Sequence, residues 1–456
     1  MVIDRRQMML AGVGATAASV STIGPRTAEA APSPDTPRTS VTAFGVRPDF
    51  NGDQTALLQK AIDQAAAKRM PLFFPAGSYR LTRLELKPDI HLAGVPGRST
   101  LIHEGDGPFL TASVADNVRL EGLVLDGRGR SLGKQEEFPA LIVAEDCQKL
   151  IFTSCEFAGS GANGVTLRRC AGKITDCAFS DVAGTGVFSI DAKGVEISHN
   201  HVTGCGDNGI QVWRTNKGED ATLILHNRVE RIRADSGGTG QNGNGIAVFR
   251  AGSVLVQGNR INDCAFSAIR ANAAANIQMI ANSCARLGEV ALYAEFGFDG
   301  AVIANNLVER AAAGISITNF ADHGGRLAIA QGNLIRNLSF KKDSTDKRGF
   351  GISVEADAIV SGNVIENAPA IGIGVGWGAS LRDVTVTGNV IRKARIGIGI
   401  SVDPKAGYGL VTNNMIAGAS DGAIRAMDHH IALGPDLTKS SAESYRNIAV
   451  YSNVST

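Results

Sequence analysis

The sequence predicts an all-β solenoid, a single-stranded parallel β-helix, and three observations carry that prediction. One phrase repeats through most of the chain; its apolar residues alternate with period two; and an Asn returns at the same place in nearly every repeat. The phrase is clearest at Val384–Val402, VTVTGNVIRKARIGIGISV. Val384 and Val386 face one way and Thr385 and Thr387 the other, as strand geometry requires. Gly388-Asn389 breaks the run, because Gly and Asn tolerate a left-handed backbone. Ile391 resumes it, and Gly397-Ile398-Gly399-Ile400 supplies a second alternating strand. Stacked repeats form one body, so a chain of 456 residues need not divide into two or three domains.

Composition agrees. The 54 Gly, 5% aromatic and 20% charged residues suit short strands and many turns, whereas helical repeats would be richer in Ala, Leu and Glu. A formal net charge of +1 gives no electrostatic footprint for nucleic acid or an anionic membrane surface.

Residues 1–30 read as targeting sequence. Arg5-Arg6 precedes the apolar stretch Met8–Ile23, and Ala28-Glu29-Ala30 follows as a cleavage signal. The combination resembles a twin-arginine signal peptide, which implies the Tat translocase as a partner during export and a periplasmic or secreted destination. Gly, Ser and Thr interrupt the apolar stretch, which is too short for a comfortable membrane span. Residues 31–40, APSPDTPRTS, form a Pro-rich linker. Seven Cys leave at least one unpaired. Cys155 and Cys177 fill the turn position that Asn holds elsewhere, and Cys284 replaces a Val or Ile, so small buried hydrophobes are expected. No C-x-x-C pair occurs, which argues against a structural zinc.

Residues 41–116 predict an N-terminal cap and first strands. In Gln54–Lys68, Leu57, Leu58, Ala61, Ile62 and Ala65 share one helical face, with Asp53 or Thr55 as N-cap. Such a helix would cover the exposed first layer of a solenoid. Strands follow at Pro71–Tyr79, Leu84–Leu86 and Ile90–Leu92. The coils are expected over 117–456. The turn residue recurs at Cys155, Cys177, Asn200, Asn227, Asn259, Asn282, Asn306, Asn333, Asn363, Asn389, Asn414 and Asn453, at intervals of 22 to 32 residues until a last one of 39. Leucine-rich repeats share this period but demand Leu at several fixed positions; here the inward residues are Val, Ile and Ala. Stacked coils would place these Asn side chains in a ladder with steps of about 4.8 Å, each amide satisfying the next.

The segments FGVRPDFNGD and FPAGSY, on either side of the helix, resemble the start of many pectate-lyase-like β-helix proteins. Together, signal, cap and coils resemble a bacterial family of Tat-translocated repeat proteins with a right-handed, pectin-lyase-like β-helix. The resemblance covers nearly the whole chain and implies the fold. It implies no reaction, but it does imply a substrate groove on the outer face of one sheet, walled by the longer turns.

The long inserts flank the Gly-led strand: 234–244 and 339–348 before it, and 215–220, 320–325, 376–382, 403–407 and 428–446 after it. Its outward residues should therefore floor the groove. Their middle is polar, with Arg270, Tyr293, Glu295 and Glu355 as candidate catalytic groups. Trp213 and Phe249 at one end and Trp377 at the other could stack on sugar rings. Arg425 on the same column and His323 in an insert are further substrate-binding candidates, although a loop His is usually just solvated. Glu295 and Glu355 lie two coils apart, roughly 9–10 Å, the upper end for an inverting glycosidase pair. Alternatively, Arg270 or Arg425 could serve a polyuronate lyase as base. The bland alternative makes Arg270–Glu295 a solvated surface ion pair.

Other signatures fall away. Gly372–Gly378 imitates a dinucleotide fingerprint without its strand–helix context. The paired aspartates, G-H-G and R-I-K of polygalacturonases and the clustered Asp of calcium-dependent pectate lyases are missing. No metal or cofactor is expected. The expected function is therefore a carbohydrate-active enzyme, lyase or hydrolase, with a non-catalytic glycan-binding or structural cell-envelope protein as the alternative.

Overall fold

The computed structural model describes residues 38–133, 137–319, 324–341 and 349–456. The expected signal peptide, most of the linker and His323 lie outside the described residues. From Arg38 on, the chain winds as a right-handed parallel β-solenoid of about 13 turns. Each full coil contributes to three sheets. In the template coil, Arg382–Thr387 lies in the first sheet, while Val390–Ser401 bends from the second sheet into the third. Like stacks on like: Val386 pairs with Val360 and Val411, Ile391 with Ile365 and Ile416, Ile398 with Ile373 and Ile424. These inward side chains are buried. The period-two pattern is thus what fills the core, because a slip by one residue would turn every Val and Ile outward.

The corner between the first and second sheets is held by the expected ladder. From Asn227 to Asn453, each Asn Oδ1 accepts from both the backbone N–H and the Nδ2 of the Asn before it; Asn282, for example, accepts from Asn259 at 3.0 Å twice. Its own Nδ2 donates to the Val256 carbonyl at 3.0 Å and to Asn306 Oδ1 at 3.1 Å. The residue before every ladder Asn has a left-handed backbone, and it is Gly only at Gly258, Gly332, Gly362 and Gly388. Asn305 and Asn413 tolerate that conformation; at His199, His226, Ala281 and Ser452 the side chain makes it costly, of order 1 kcal/mol or more, and the fully bonded amide offsets it. Cys177 ends the ladder: its backbone N–H donates to Asn200 Oδ1 at 2.9 Å, which its thiol could not replace as an acceptor of equal strength. All seven Cys are buried and unpaired, as a hydrophobic reading requires.

The cap differs in detail. The helix Thr55–Ala67 buries Leu58, Ala61, Ile62 and Ala65, but Leu57 is 46% exposed and faces away from the core. Gln54 occupies the N-cap, but its side chain makes no bond to the helix. Its buried amide instead clamps the backbone of Arg47 at 2.7 and 2.9 Å, and Asp53 Oδ1 accepts the Thr55 N–H at 3.0 Å. Nor is there a break near residue 117. Leu72, Leu92 and Leu120 already stack in one sheet, so coils begin well inside the expected cap. Those first coils carry no ladder Asn, which hid them. At the far end, Ile424–Asp428 pairs with Ile431–Leu433 in the one antiparallel ladder among the described residues.

Removing one rung of the ladder tests this account. Asn282→Ala orphans the N–H groups of Asn259 and the Val256 carbonyl, so a loss of about 2–4 kcal/mol is expected in denaturant unfolding. Asn453→Ala, at the half-exposed end, should cost well under half of that; equal effects would contradict the ladder's role.

Candidate functional site

The third sheet presents its outward residues in two parallel columns. Arg270 stacks on Tyr293, then Ser316, Ser353, Gly374 and Gly399. Beside it, Asn272 stacks on Glu295 and Thr318, and Glu355 follows at the corner after the strand Phe350–Val354. A cavity of about 550 Å³ lies over these columns, lined by Arg270, Tyr293, Glu295, Glu355, Trp377 and His429 among others. A second cavity of about 320 Å³ shares Arg270 and is floored by Trp213 and Phe249. The fold therefore brings together all four candidate catalytic residues with Trp377, and sets Trp213 and Phe249 next to them.

Arg270 and Glu295 are not a solvated surface pair. Glu295 is 3% exposed, and Arg270 grips it twice, Nε to Oε2 at 2.6 Å and Nη2 to Oε1 at 2.5 Å. Asn272 Nδ2 adds a third bond to Oε2 at 2.9 Å. Burial opposes the charge of Arg270, but the bidentate carboxylate outweighs it and holds the guanidinium pKa above its ordinary value. The guanidinium also lies 5.5 Å from the Tyr293 ring centre. Its Nη1 packs against Gly240 of the 234–244 insert, where a Cβ would overlap it. That insert can close over Arg270 only because the residue there is glycine, at φ +127°.

Glu355 has the opposite surroundings. It is 6% exposed, accepts one backbone N–H from Asn319, and faces no cation among the described residues. Burial pushes its carboxyl up to about 7, against a lesser downward pull from the Asn319 N–H. Between the two carboxyl groups runs a line of hydroxyls: Ser316 and Thr318 at 3.1 Å, and Thr318 to the Tyr293 OH at 3.5 Å. Across one groove, a buried carboxyl pushed up to about 7 faces a carboxylate bound twice by a guanidinium, an arrangement suited to acid–base work.

Arg425 stands apart. Its guanidinium is tied to the Asp421 carbonyl at 2.6 Å and the Gly434 carbonyl at 2.8 Å, where it fastens the 428–446 insert. Sequence reasoning missed Glu289, a buried carboxylate 3.6 Å from Lys341 that also supports the charge of Arg270. It missed Phe138 and Phe188 as well, which pack around Trp213 at 5.9 and 5.7 Å. Phe188 was within reach, since it pairs with Gln211 one coil further along the column. His429, in the 428–446 insert, packs edge-on against Trp377 at 5.2 Å. Among the described residues no group of three or more His, Cys, Asp or Glu is placed to hold a metal ion, and no helix is long and apolar enough to cross a membrane.

The profile of the rhamnogalacturonase A/epimerase, pectate lyase-like family matches residues 38–270, which is 233 of the 456. The chain belongs to this family. A right-handed β-helix profile matches residues 215–391. No curated protein matches the sequence. Among solved structures, PfbA, a surface adhesin of Streptococcus pneumoniae, is 14% identical with a TM-score of 0.50, covering 88% of this chain and 95% of its own. Gene product 12 of bacteriophage phi29 is 17% identical at TM-score 0.50, covering 87% of this chain and 58% of its own. The A-module of the mannuronan C-5 epimerase AlgE6 of Azotobacter vinelandii is 15% identical at TM-score 0.49, covering 92% and 99%. At these identities the likenesses to PfbA and gene product 12 speak for the fold alone.

Two stability measurements check the electrostatics. Arg270→Met strands a buried carboxylate and should cost about 3–5 kcal/mol, most of it recovered when Glu295→Met is added. Glu355 has a folded pKa raised from 4.5 to about 7, so its stabilising contribution is complete below 4.5 and is lost as pH rises through 7. Melting curves of Glu355→Gln should lack that part of the pH dependence; an unchanged profile would contradict the assignment.

Proposed function

We propose that this protein is a glycoside hydrolase of the inverting type, with Glu355 as general acid and Glu295 as general base. One observation carries the reading: a carboxyl that keeps its proton near neutral pH shares a groove with a carboxylate locked to a guanidinium, two coils away. At about 4.8 Å per coil their backbones are roughly 9–10 Å apart, which leaves room for a water between sugar and base. Glu355 would protonate the departing glycosidic oxygen. Glu295 would take a proton from the water that attacks the anomeric carbon from the opposite face. Three donors occupy three of its four lone-pair sites, and the remaining one, on Oε1, is free to accept that proton. Arg270 and Asn272 orient Glu295, and Tyr293, Ser316 and Thr318 offer hydroxyls to the sugar between.

The lyase alternative needs a neutral base beside the sugar. Arg270 is held as a cation by two bonds to Glu295, and Arg425 is spent on the insert, so neither suits that role. The family's name joins a rhamnogalacturonase with an epimerase, and the hydrolase part supports a polysaccharide substrate containing uronate. We further propose that the protein is exported by the Tat translocase to the periplasm or beyond, on the support of Arg5-Arg6 and Ala28-Glu29-Ala30.

The test is a panel of uronate-containing and neutral glycans, read for new reducing ends, anomeric configuration and unsaturated products. Hydrolysis with inversion is expected, falling as pH rises through about 7 when Glu355 loses its proton. Glu355→Gln and Glu295→Gln should each lower kcat by about 10²–10⁴. Unsaturated products would establish a lyase instead, and binding without any product would establish the non-catalytic alternative.

A further inference from the structure

The groove is built differently at its two ends. Towards the earlier coils it stays open: from Glu295 the column continues through Asn272 and Phe249 to Trp213, three steps or roughly 14 Å, and these residues remain partly exposed. Lys217, from the 215–220 insert, reaches over to donate to the Gly297 carbonyl at 2.6 Å and walls this stretch along one side.

Towards the later coils the groove is shut within two steps. Past Glu355 the floor residues are Gly374 and Gly399, which leave it bare. A Cβ added at Gly374 would meet nothing nearer than 3.9 Å, so there is depth above it. Then the floor closes. Met427 folds back over Gly399, where a Cβ would meet its Cγ at 3.0 Å. Ser401, which should point outward, is 1% exposed and donates to the Gly378 carbonyl at 2.7 Å. His429 packs onto Gly378 and against Trp377, and the antiparallel hairpin blocks the sheet edge beyond. From Glu355 to Ser401 is about 10 Å, room for one pyranose but not for a continuing chain.

We propose that this closed chamber, between Glu355 and the Met427–His429 wall, is a subsite for a single terminal sugar, with Trp377 as its stacking surface. Resting on Glu355 and Glu295 as the reacting pair, this makes the protein an exo-acting enzyme that removes one unit at a time from a chain end, while the rest of the chain lies over Phe249 and Trp213. An apolar, aromatic wall fits the face of a pyranose, and the acid beside it reaches the bond joining that ring to the next. The sugar enters as a chain end because nothing can pass through the wall.

The chain has two Trp, and each can be read alone. In Trp213→Phe, the emission of Trp377 is titrated with galacturonate, rhamnose, mannuronate and glucose, and with their trimers. A saturable response to at least one monosaccharide, lost when Gly374→Leu fills the chamber, is the expected result. Silence towards every monosaccharide, or a response that survives Gly374→Leu, overturns the subsite. On any glycan the wild type cleaves, end-labelled oligomers of increasing length should lose one unit at a time. Internal fragments from the first time points would overturn the exo assignment and leave the hydrolase reading intact. Monosaccharide binding at Trp377 with no cleavage of any glycan would keep the subsite and sink the hydrolase reading.

Discussion

The structure depends on one buried corner. A parallel solenoid must turn between its first and second sheets without water, so the backbone groups there need partners that repeat every coil. The stacked Asn side chains supply them, each accepting two bonds and donating two. Because the ladder works only when every Asn sits at the same place, the chain around it cannot vary in length. Coil lengths nevertheless run from 22 to 32 residues, with one of 39. All of that variation is pushed to the flanks of the third sheet. The groove is therefore where the corner's rigidity leaves the chain free, which is also why the walls, and not the core, differ from coil to coil.

Within the groove, two carboxyl groups are made unlike by their neighbours alone. Glu295 receives three donors, two of them from a cation. Glu355 receives one backbone N–H and little else. Burial with so little compensation is what pushes the Glu355 carboxyl up to about 7. The residue type is the same at both positions, so the contrast lies in the neighbours: Arg270 and Asn272 bind Glu295, and no cation stands beside Glu355 among the described residues.

Much of this was legible in the sequence, because period-two alternation fixes both register and facing. The column from Arg270 to Glu355 could be written down from spacing, and the Asn ladder from recurrence. What spacing could not give was where an insert returns. Arg425 lies on the predicted column, yet the hairpin after it claims its guanidinium. Arg270 reads as a surface cation until the 234–244 insert folds down with Gly240 against it. Leu57 shares a helical face with Leu58 on a wheel, but the core beneath is narrower than that face. Glu289 lies at the register shift between Leu287 and Val290 inside the strand Ser283–Glu295, and Phe138 lies in a connection, so at neither does periodicity mark what is brought near. Each miss is a contact between segments whose relative path is set by tertiary packing rather than by local pattern.

The template coil is the most regular in sequence and has the barest groove face, with Gly399 and Ser401 where other coils carry Tyr293 and Glu295. In a packed core a missing side chain is a defect. On a groove floor it is volume. Gly374 and Gly399 lower the floor immediately beside Glu355, and the bulky residues displaced from it, Met427, Trp377 and His429, reappear as the wall around the space. Substituting larger residues at these glycines would leave the core, the ladder and both carboxyl groups untouched and still remove the place where a ring can sit. The same β-helix serves an adhesin and a phage protein, so the fold does not choose the function. The choice is made by which outward positions are filled, and here also by which are left empty.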